Sequence, residues 1–314
     1  MPRDDVQLLT KICHFYYNED LTQSQIAERL GITRQMVSRL LQRAKQEGLV
    51  QIQINSPATS LADLEYKLEE KYGLAKAIVI KNDYISLDNM KQKLGMAAAE
   101  YLKKQLAPGL KIGVGWGTTL YAMAESFNKS IRSAYNDIKV IQLMGGLNNV
   151  TTNFLAQDIV RLIADSITAQ EYYLHAPCIV DSRQVRDTFI NEGIIKEVID
   201  LYNDLDIVFI GIGVPDEDAL VVKCGSIDAG EIKKLHQAGA VGEICLHYYN
   251  AQGEFLNERI VDRVIGISVE HLQKARKLVA VGGGESKKES VQGVLKSGLL
   301  NVLITDESVA RYVI

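Results

Sequence analysis

From residue 76 onward the chain alternates short apolar runs with longer amphipathic stretches, and no other feature restricts its fold as tightly. The runs Ala77–Ile80, Lys111–Val114, Val140–Leu143, Tyr172–Leu174, Ile207–Ile212, Leu278–Val281 and Val302–Thr305 read as strands. Between them, Asn89–Leu106, Thr118–Asn128, Phe154–Ile167 and Lys287–Lys296 carry apolar residues at helical spacing. Apolar strands separated by helices of about 10–15 residues predict βαβ units, hence an α/β domain with a mainly parallel, doubly wound sheet covered on both faces. Glycines cluster just after the strands: Gly113, Gly115 and Gly117; Gly145 and Gly146; Gly211 and Gly213; Gly282, Gly283 and Gly284. Open parallel sheets bind ligands outside the carboxyl ends of their strands, so these four loops are candidates to line one crevice.

The first 50 residues have a different texture, all helix and turn. Val6–Tyr17 places Leu8, Leu9, Ile12 and Tyr16 at helical spacing. Thr22 can cap a second helix, Gln23–Leu30; Gly31 can take the positive φ of a turn, and Thr33 can cap a third helix that Gly48 ends. This is the layout of a helix-turn-helix, with Ile26, Leu30, Val37, Leu40 and Leu41 as the shared core and Ala27 allowing a close crossing. The third helix carries Arg34, Arg39, Arg43 and Lys45 with no acidic residue before Glu47. The first residues of such a helix approach base edges while nearby cations hold phosphates. Thr33, Arg34, Gln35 and Ser38 are therefore expected in a DNA groove, and Arg39 and Arg43 on the phosphates.

At 314 residues the chain exceeds the ~100–200 usual for one domain. The expected division is an all-α DNA-binding domain over 1–55, a connector and helical arm over 56–75, and the α/β domain over 76–314. Val50–Asn55 alternates like a strand, and Leu61, Leu64 and Leu68 form an apolar seam on a helix that Gly73 closes. A hydrophobic content of 47% with 24% charged residues excludes a disordered or low-complexity chain. The net charge of −4 argues against nucleic acid only globally, since the basic residues gather on one helix. Cys13, Cys178, Cys224 and Cys245 form no CxxC pair and read as reduced, buried thiols, giving neither a zinc framework nor a disulfide scaffold. No apolar signal core follows the first residues and no apolar run approaches the ~20 residues of a membrane span, so the expected location is the cytoplasm.

Two glycine loops carry chemistry. Ile112-Gly-Val-Gly-Trp-Gly-Thr-Thr-Leu120 runs from strand through turn into helix and aims backbone N–H groups and a helix dipole at one spot. It is neither a Walker A loop nor GxGxxG. A phosphate-sized anion on Gly117, Thr118 and Thr119 and a purely structural turn both remain open. Val281-Gly-Gly-Gly-Glu-Ser-Lys-Lys288 repeats the theme, with Lys287 placed to add positive charge. Gly145 and Gly146 form a third loop, and Glu243 is a carboxylate that either meets sugar hydroxyls or is an ordinary surface charge. His14, His175, His236, His247 and His271 show no metal-ligand or dyad spacing; His175 alone stands where a pocket could lie. No metal, cofactor or catalytic residue is expected.

Together these segments resemble the SorC family of sugar-responsive bacterial transcription regulators. The resemblance rests on Gln25-Ile-Ala27, Val37-Ser-Arg-Leu-Leu41, Gly113-Val-Gly-Trp-Gly-Thr-Thr119, Met144-Gly-Gly146, Gly239-Ala-Val-Gly-Glu243, Gly253, Arg263-Val-Ile-Gly266 and Gly283-Gly-Glu-Ser-Lys287, in order along nearly the whole chain. The deoxyribonucleoside type of regulator is nearest in its Trp-Gly-Thr-Thr loop. The resemblance implies an effector domain related to sugar-phosphate isomerases and deaminases, and homodimers or homotetramers on palindromic operator DNA. It also implies a sugar or sugar phosphate at Gly117, Thr118, Thr119, Gly145, Gly146, Glu243 and Lys287. Some regulators of the deoxyribonucleoside type carry a lysine just before the Gly-Gly loop that forms a Schiff base with an aldehyde effector. Here the residue is Met144, which has no amine; a ketose phosphate, a polyol phosphate or a free sugar stays open. The competing expectation is an isomerase- or deaminase-like enzyme with an attached DNA-binding domain, in which Glu243 or His175 would have to serve as base.

Overall fold

The computed structural model describes residues 3–50, 61–127, 137–147, 156–257 and 259–314. The chain divides into two compact units, Met1–Thr59 and Ser60–Ile314. Apart from Val50, the strand expected at Val50–Asn55 lies outside the described residues, as does the connector up to residue 60.

In the first unit, α1 (Arg3–Tyr17), α2 (Gln23–Leu30) and α3 (Arg34–Gln46) enclose a small core. Leu9, Ile12 and Phe15 of α1 meet Ile26 and Ala27 of α2 and Val37, Leu40, Leu41 and Ala44 of α3. The caps are those the sequence predicts. Thr22 and Gln25 form a reciprocal capping box, Gly31 takes φ 65°, and the Thr33 hydroxyl accepts the Met36 amide at 3.2 Å.

The second unit begins with α4 (Leu61–Tyr72), β1 (Lys76–Ile80), α5 (Leu87–Lys103), β2 (Lys111–Val114), α6 (Thr118–Glu125), β3 (Lys139–Gln142), α7 (Ala156–Ile167) and β4 (Gln170–Tyr172). It continues with α8 (Arg183–Ile190), α9 (Gly193–Asp200), β5 (Ile207–Gly211), α10 (Leu220–Lys223), α11 (Ala229–Gln237), β6 (Ala240–Ile244) and β7 (His247–Asn250). Last come α12 (Val269–Lys274), β8 (Leu278–Val281), α13 (Lys288–Lys296), β9 (Val302–Asp306) and α14 (Glu307–Val313). Six strands fall where the sequence predicts them and the seventh, β4, is shifted to share only Tyr172 with the expected Tyr172–Leu174; the seven form one sheet in the order β1-β9-β8-β5-β2-β3-β4, every pair parallel. Alternate residues feed two cores. Ile207 and Phe209 face one with Leu94 of α5, Leu120 of α6 and Ile163 of α7. Val208 and Ile210 face the other with Leu68 of α4, Val294 of α13 and Val309 of α14.

The winding locates the site. From β2 the chain moves outward through β3 to β4, then returns to β5 on the other side of β2 and moves away through β8 to β9. The direction of winding therefore reverses between β2 and β5. Helices that follow adjacent strands on opposite faces leave a crevice at those carboxyl ends. A separate antiparallel pair, β6–β7, stands beside it, where no strand is expected from the apolar runs. The edge strand β1 is covered by α4: Glu69 accepts the Ala77 amide and Glu65 the Val79 amide, both at 2.9 Å.

Candidate functional site

The first surface is the outer side of α3. Thr33, Arg34, Gln35 and Arg39 are exposed; Ser38 and Arg43 are half-buried. Arg43 is held by Glu47, Nε to Oε1 at 2.7 Å. The core residues Val37, Leu40, Leu41 and Ala44 fix which side of the helix turns outward. At 3.6 residues per turn, the positions opposite that core are Gln35, Arg39, Gln42 and, in the last turn, Gln46. Gln42 is exposed and is not among the expected readers, though its i+7 spacing from Gln35 is visible in the sequence.

The second is a cavity of about 420 Å³ at the reversal point. The loop after β2 supplies one wall. The Gly115 amide bonds the Phe209 carbonyl of β5 at 2.9 Å, which holds this loop against the neighbouring strand. Gly117 sits at φ 131°, ψ 159°, a conformation reserved for glycine, and turns the chain into α6. As the residue capping α6 it has no side chain to bond the first amides, so Thr118 and Thr119 present free N–H groups and a positive helix end to the cavity. Thr119 is buried.

The loop after β5 forms the opposite wall, Gly211 to Val221. Gly213 pairs with Glu243 through both backbone bonds, at 2.9 and 3.1 Å, which docks the β6–β7 hairpin against the cavity. A Cβ on Gly213 would lie 1.9 Å from Glu243 Oε1, so only glycine leaves room for that carboxyl group. Glu243 Oε2 also accepts the Leu246 amide at 2.8 Å. That bond spans a turn in which Cys245 (φ 49°) and Leu246 (φ 62°) both adopt the left-handed conformation. Burial pushes the Glu243 carboxyl above the usual carboxylate range, against the pull of the Leu246 amide and Lys287. Lys287, after the β8 loop, donates to the Ile212 carbonyl at 2.6 Å. Burial holds its pKa down while Glu243 opposes the shift.

Of the expected effector residues, the structure brings Gly117, Thr118, Thr119, Glu243 and Lys287 into this one cavity. Gly145 and Gly146 are not in its lining. Their amides are bound by Ile265 (3.0 Å) and Ala176 (2.8 Å), and a Cβ on Gly145 would lie 2.5 Å from the Pro177 backbone. Gly145 thus allows close chain packing one strand beyond the reversal point, while a Cβ on Gly146 would meet only the Ala176 carbonyl at 3.9 Å. Met144 is fully buried, with its sulfur against Gly266. His175 is exposed and outside the cavity. Lys91, Asp216 and Cys245 line it, and no motif in the sequence points to them. All four cysteines are free and buried. Among the described residues no cluster of His, Cys, Asp or Glu is arranged for a metal, and no helix is long and apolar enough to cross a membrane.

Both units have counterparts among known proteins. A sugar-binding domain family matches residues 56–314, and the MarR family matches 14–57. The chain is similar to the deoxyribonucleoside regulator of Bacillus subtilis, 33% identical over 99% of this chain and 98% of that one. It is also similar to the erythritol catabolism regulatory protein EryD of Brucella abortus, at 32% identity over 99% and 97%. The crystal structure of the full-length sorbitol operon regulator SorC from Klebsiella pneumoniae superimposes with a TM-score of 0.75 at 27% identity, covering 98% of each chain.

Proposed function

The chain belongs to the SorC family of sugar-binding transcriptional regulators, and from that premise we propose that it controls a carbohydrate-utilisation operon through a sugar or sugar phosphate held in the cavity between β2 and β5. It is a regulator and not an enzyme, as are the proteins it matches over their whole length. One observation carries the reading of the cavity. Residues far apart in sequence (Gly117, Thr118, Thr119, Glu243 and Lys287) meet at the one point of the sheet where the winding reverses. They supply complementary chemistry. Free amides at a helix start and an ammonium group suit an anion, and a carboxyl group that keeps its proton more readily than usual can donate to or accept from sugar hydroxyls.

In this reading residues 1–55 bind DNA, 56–75 connect, and 76–314 bind effector and oligomerise in the cytoplasm. Thr33, Arg34, Gln35 and Ser38 read bases; Arg39 and Arg43 hold phosphates. A homodimer or homotetramer presents pairs of α3 helices about 34 Å apart to a palindromic operator. Effector binding shifts the balance between DNA-competent and incompetent arrangements by its difference in affinity for the two. The test is thermal denaturation of the full chain with glucitol 6-phosphate, ribose 5-phosphate, erythritol 4-phosphate and their unphosphorylated counterparts. A ligand at a hundred times its Kd should stabilise by about 2.7 kcal/mol. The same compound should change the affinity for a duplex selected from a random library. A stabilising compound with no effect on DNA affinity would overturn the regulatory half of the proposal.

A further inference from the structure

Several polar side chains of the three-helix unit are already engaged within it. Gln25 closes the capping box with Thr22, Arg29 pairs with Glu19 at 3.1 Å and lies over the Phe15 ring, and Arg43 is held by Glu47. Three glutamines of α3 are not. Gln35, Gln42 and Gln46 are exposed, and among the described residues their side-chain amides have no hydrogen-bond partner.

Their placement is ordered. At 3.6 residues per turn the three lie within about 40° of one another around the helix axis, on the side turned away from Val37, Leu40, Leu41 and Ala44. Arg39 and Arg43 border this strip on one side and Lys45 on the other. No acidic residue falls within α3; the first is its C-cap, Glu47. A helix in the major groove has base edges on the floor before it and phosphates along both walls. A strip of amides between two borders of cations matches that order.

The chemistry of the strip selects a base. A glutamine amide presents one donor and one acceptor side by side, the complement of the N7 acceptor and N6 amino group of adenine. In the same groove guanine offers two acceptors, cytosine one donor, and thymine one acceptor beside a methyl group. Gln35 and Gln42 are seven residues apart, about 10 Å along the axis, which spans about three base pairs at 3.4 Å each. Gln46 stands in the last turn, about 6 Å beyond Gln42, where a helix that meets the bases with its N-terminal part no longer reaches them.

Resting on the reading of α3 as the recognition helix, we infer that Gln35 and Gln42 each bond one adenine through N6 and N7. The site of each α3 then carries two A·T pairs about three base pairs apart.

The experiment is selection by the full chain from duplexes with a randomised core, run for wild type, Q35A, Q42A and Q46A. Titration follows with the selected duplex carrying 7-deazaadenine in place of each adenine in turn. Wild type should select two A·T pairs at that spacing. Q35A and Q42A should each lose about tenfold or more of the preference at one of these pairs and keep it at the other, and Q46A should keep both. Exchanging N7 for carbon removes one of the two bonds to that adenine. It should weaken wild type about fivefold and leave the variant lacking the matching glutamine unchanged. If Q35A and Q42A select the wild-type site, or the pairs they release are G·C, the assignment to adenine is overturned while α3 remains the recognition helix. The same holds if 7-deazaadenine binds every protein as adenine does. If wild type selects no sequence, the inference fails together with the reading of α3.

Discussion

Replacing Gly95 with alanine should loosen the joint on which the cavity is built. Gly95 lies mid-way along α5, where alanine is normally favoured by about 1 kcal/mol. Here the added Cβ would stand 2.5 Å from the Ala122 carbonyl carbon and 2.5 Å from the Met123 amide nitrogen. Those are backbone atoms of α6 and cannot swing aside as a side-chain tip can. To recover an ordinary contact of roughly 3.5–4.0 Å the helices must part by about 1 Å. Overpacking of this kind typically costs about 1–3 kcal/mol, and the rigid target places Gly95 at or beyond the upper end. Subtracting the helix-propensity gain leaves a net loss of about 2 kcal/mol. In a unit of this size that lowers Tm by about 4–8 °C. The matched control is Gly193, also helical, where a Cβ would meet nothing within 4 Å. G193A should be neutral or up to about 1 kcal/mol more stable. Differential scanning calorimetry of the two variants decides the matter. If G95A melts with or above G193A, the two helices are not pressed together at this crossing and the reasoning is wrong.

The other predictions concern single groups. Asp306 is fully buried and takes the Gly284 amide on one oxygen at 2.5 Å and the Ser308 amide and hydroxyl on the other at 2.8 and 2.6 Å. D306A should lose about 3 kcal/mol, one from the lost α14 cap and the rest from orphaned buried donors, read as a lower urea midpoint; an unchanged midpoint contradicts it. The raised pKa of Glu243 means that the folded protein binds more protons than the unfolded chain between about 4.3, the ordinary value, and the raised one. The contribution of this group to stability therefore falls as pH rises through that window, and E243Q should remove the slope; melting curves that keep an identical pH dependence would exclude it. R39A should weaken binding to selected and random duplexes alike and reduce the salt slope by about one. Q42A should instead relax sequence preference, by about 1–3 kcal/mol at one base pair, in a repeated selection from random duplexes.

What the sequence discloses follows from local physics, and what it withholds depends on strand order. The caps at Thr22 and Thr33 and the turn at Gly31 are decided within a few residues, so the helix-turn-helix is legible from the residues alone. Six of the seven strands are legible too, because a strand packed inside the sheet shows as an apolar run, whereas the edge strand β4 is polar and exposed at Gln170 and Glu171 and meets its expected run only at Tyr172. The four glycine loops look equivalent, since glycine after a strand signals close backbone approach without saying what approaches. In the loop after β2 the space beside Gly117 is open, whereas beside Gly145 it is filled by the Pro177 backbone. The distinction follows from β2 and β5 being neighbours at the reversal point while β3 lies one strand further out, and no local pattern encodes that order. The same argument explains Lys91. In the sequence it is one of several lysines on an amphipathic helix, and a solvated charge is the ordinary reading. Its neighbour Lys93 fits that reading, paired with Asp83 at 2.5 Å. Only the seating of Met90 and Leu94 on the Gly283–Gly284 loop turns Lys91 toward the cavity, and that contact joins residues almost two hundred positions apart. The hairpin β6–β7 escapes sequence reasoning for a related cause. Its turn uses Cys245 and Leu246 at positive φ, where the usual signal would be Asn-Gly. A turn that departs from its ordinary residues and is bonded by a cavity carboxylate is held by the site around it, so its strain and the placement of Glu243 are one structural fact.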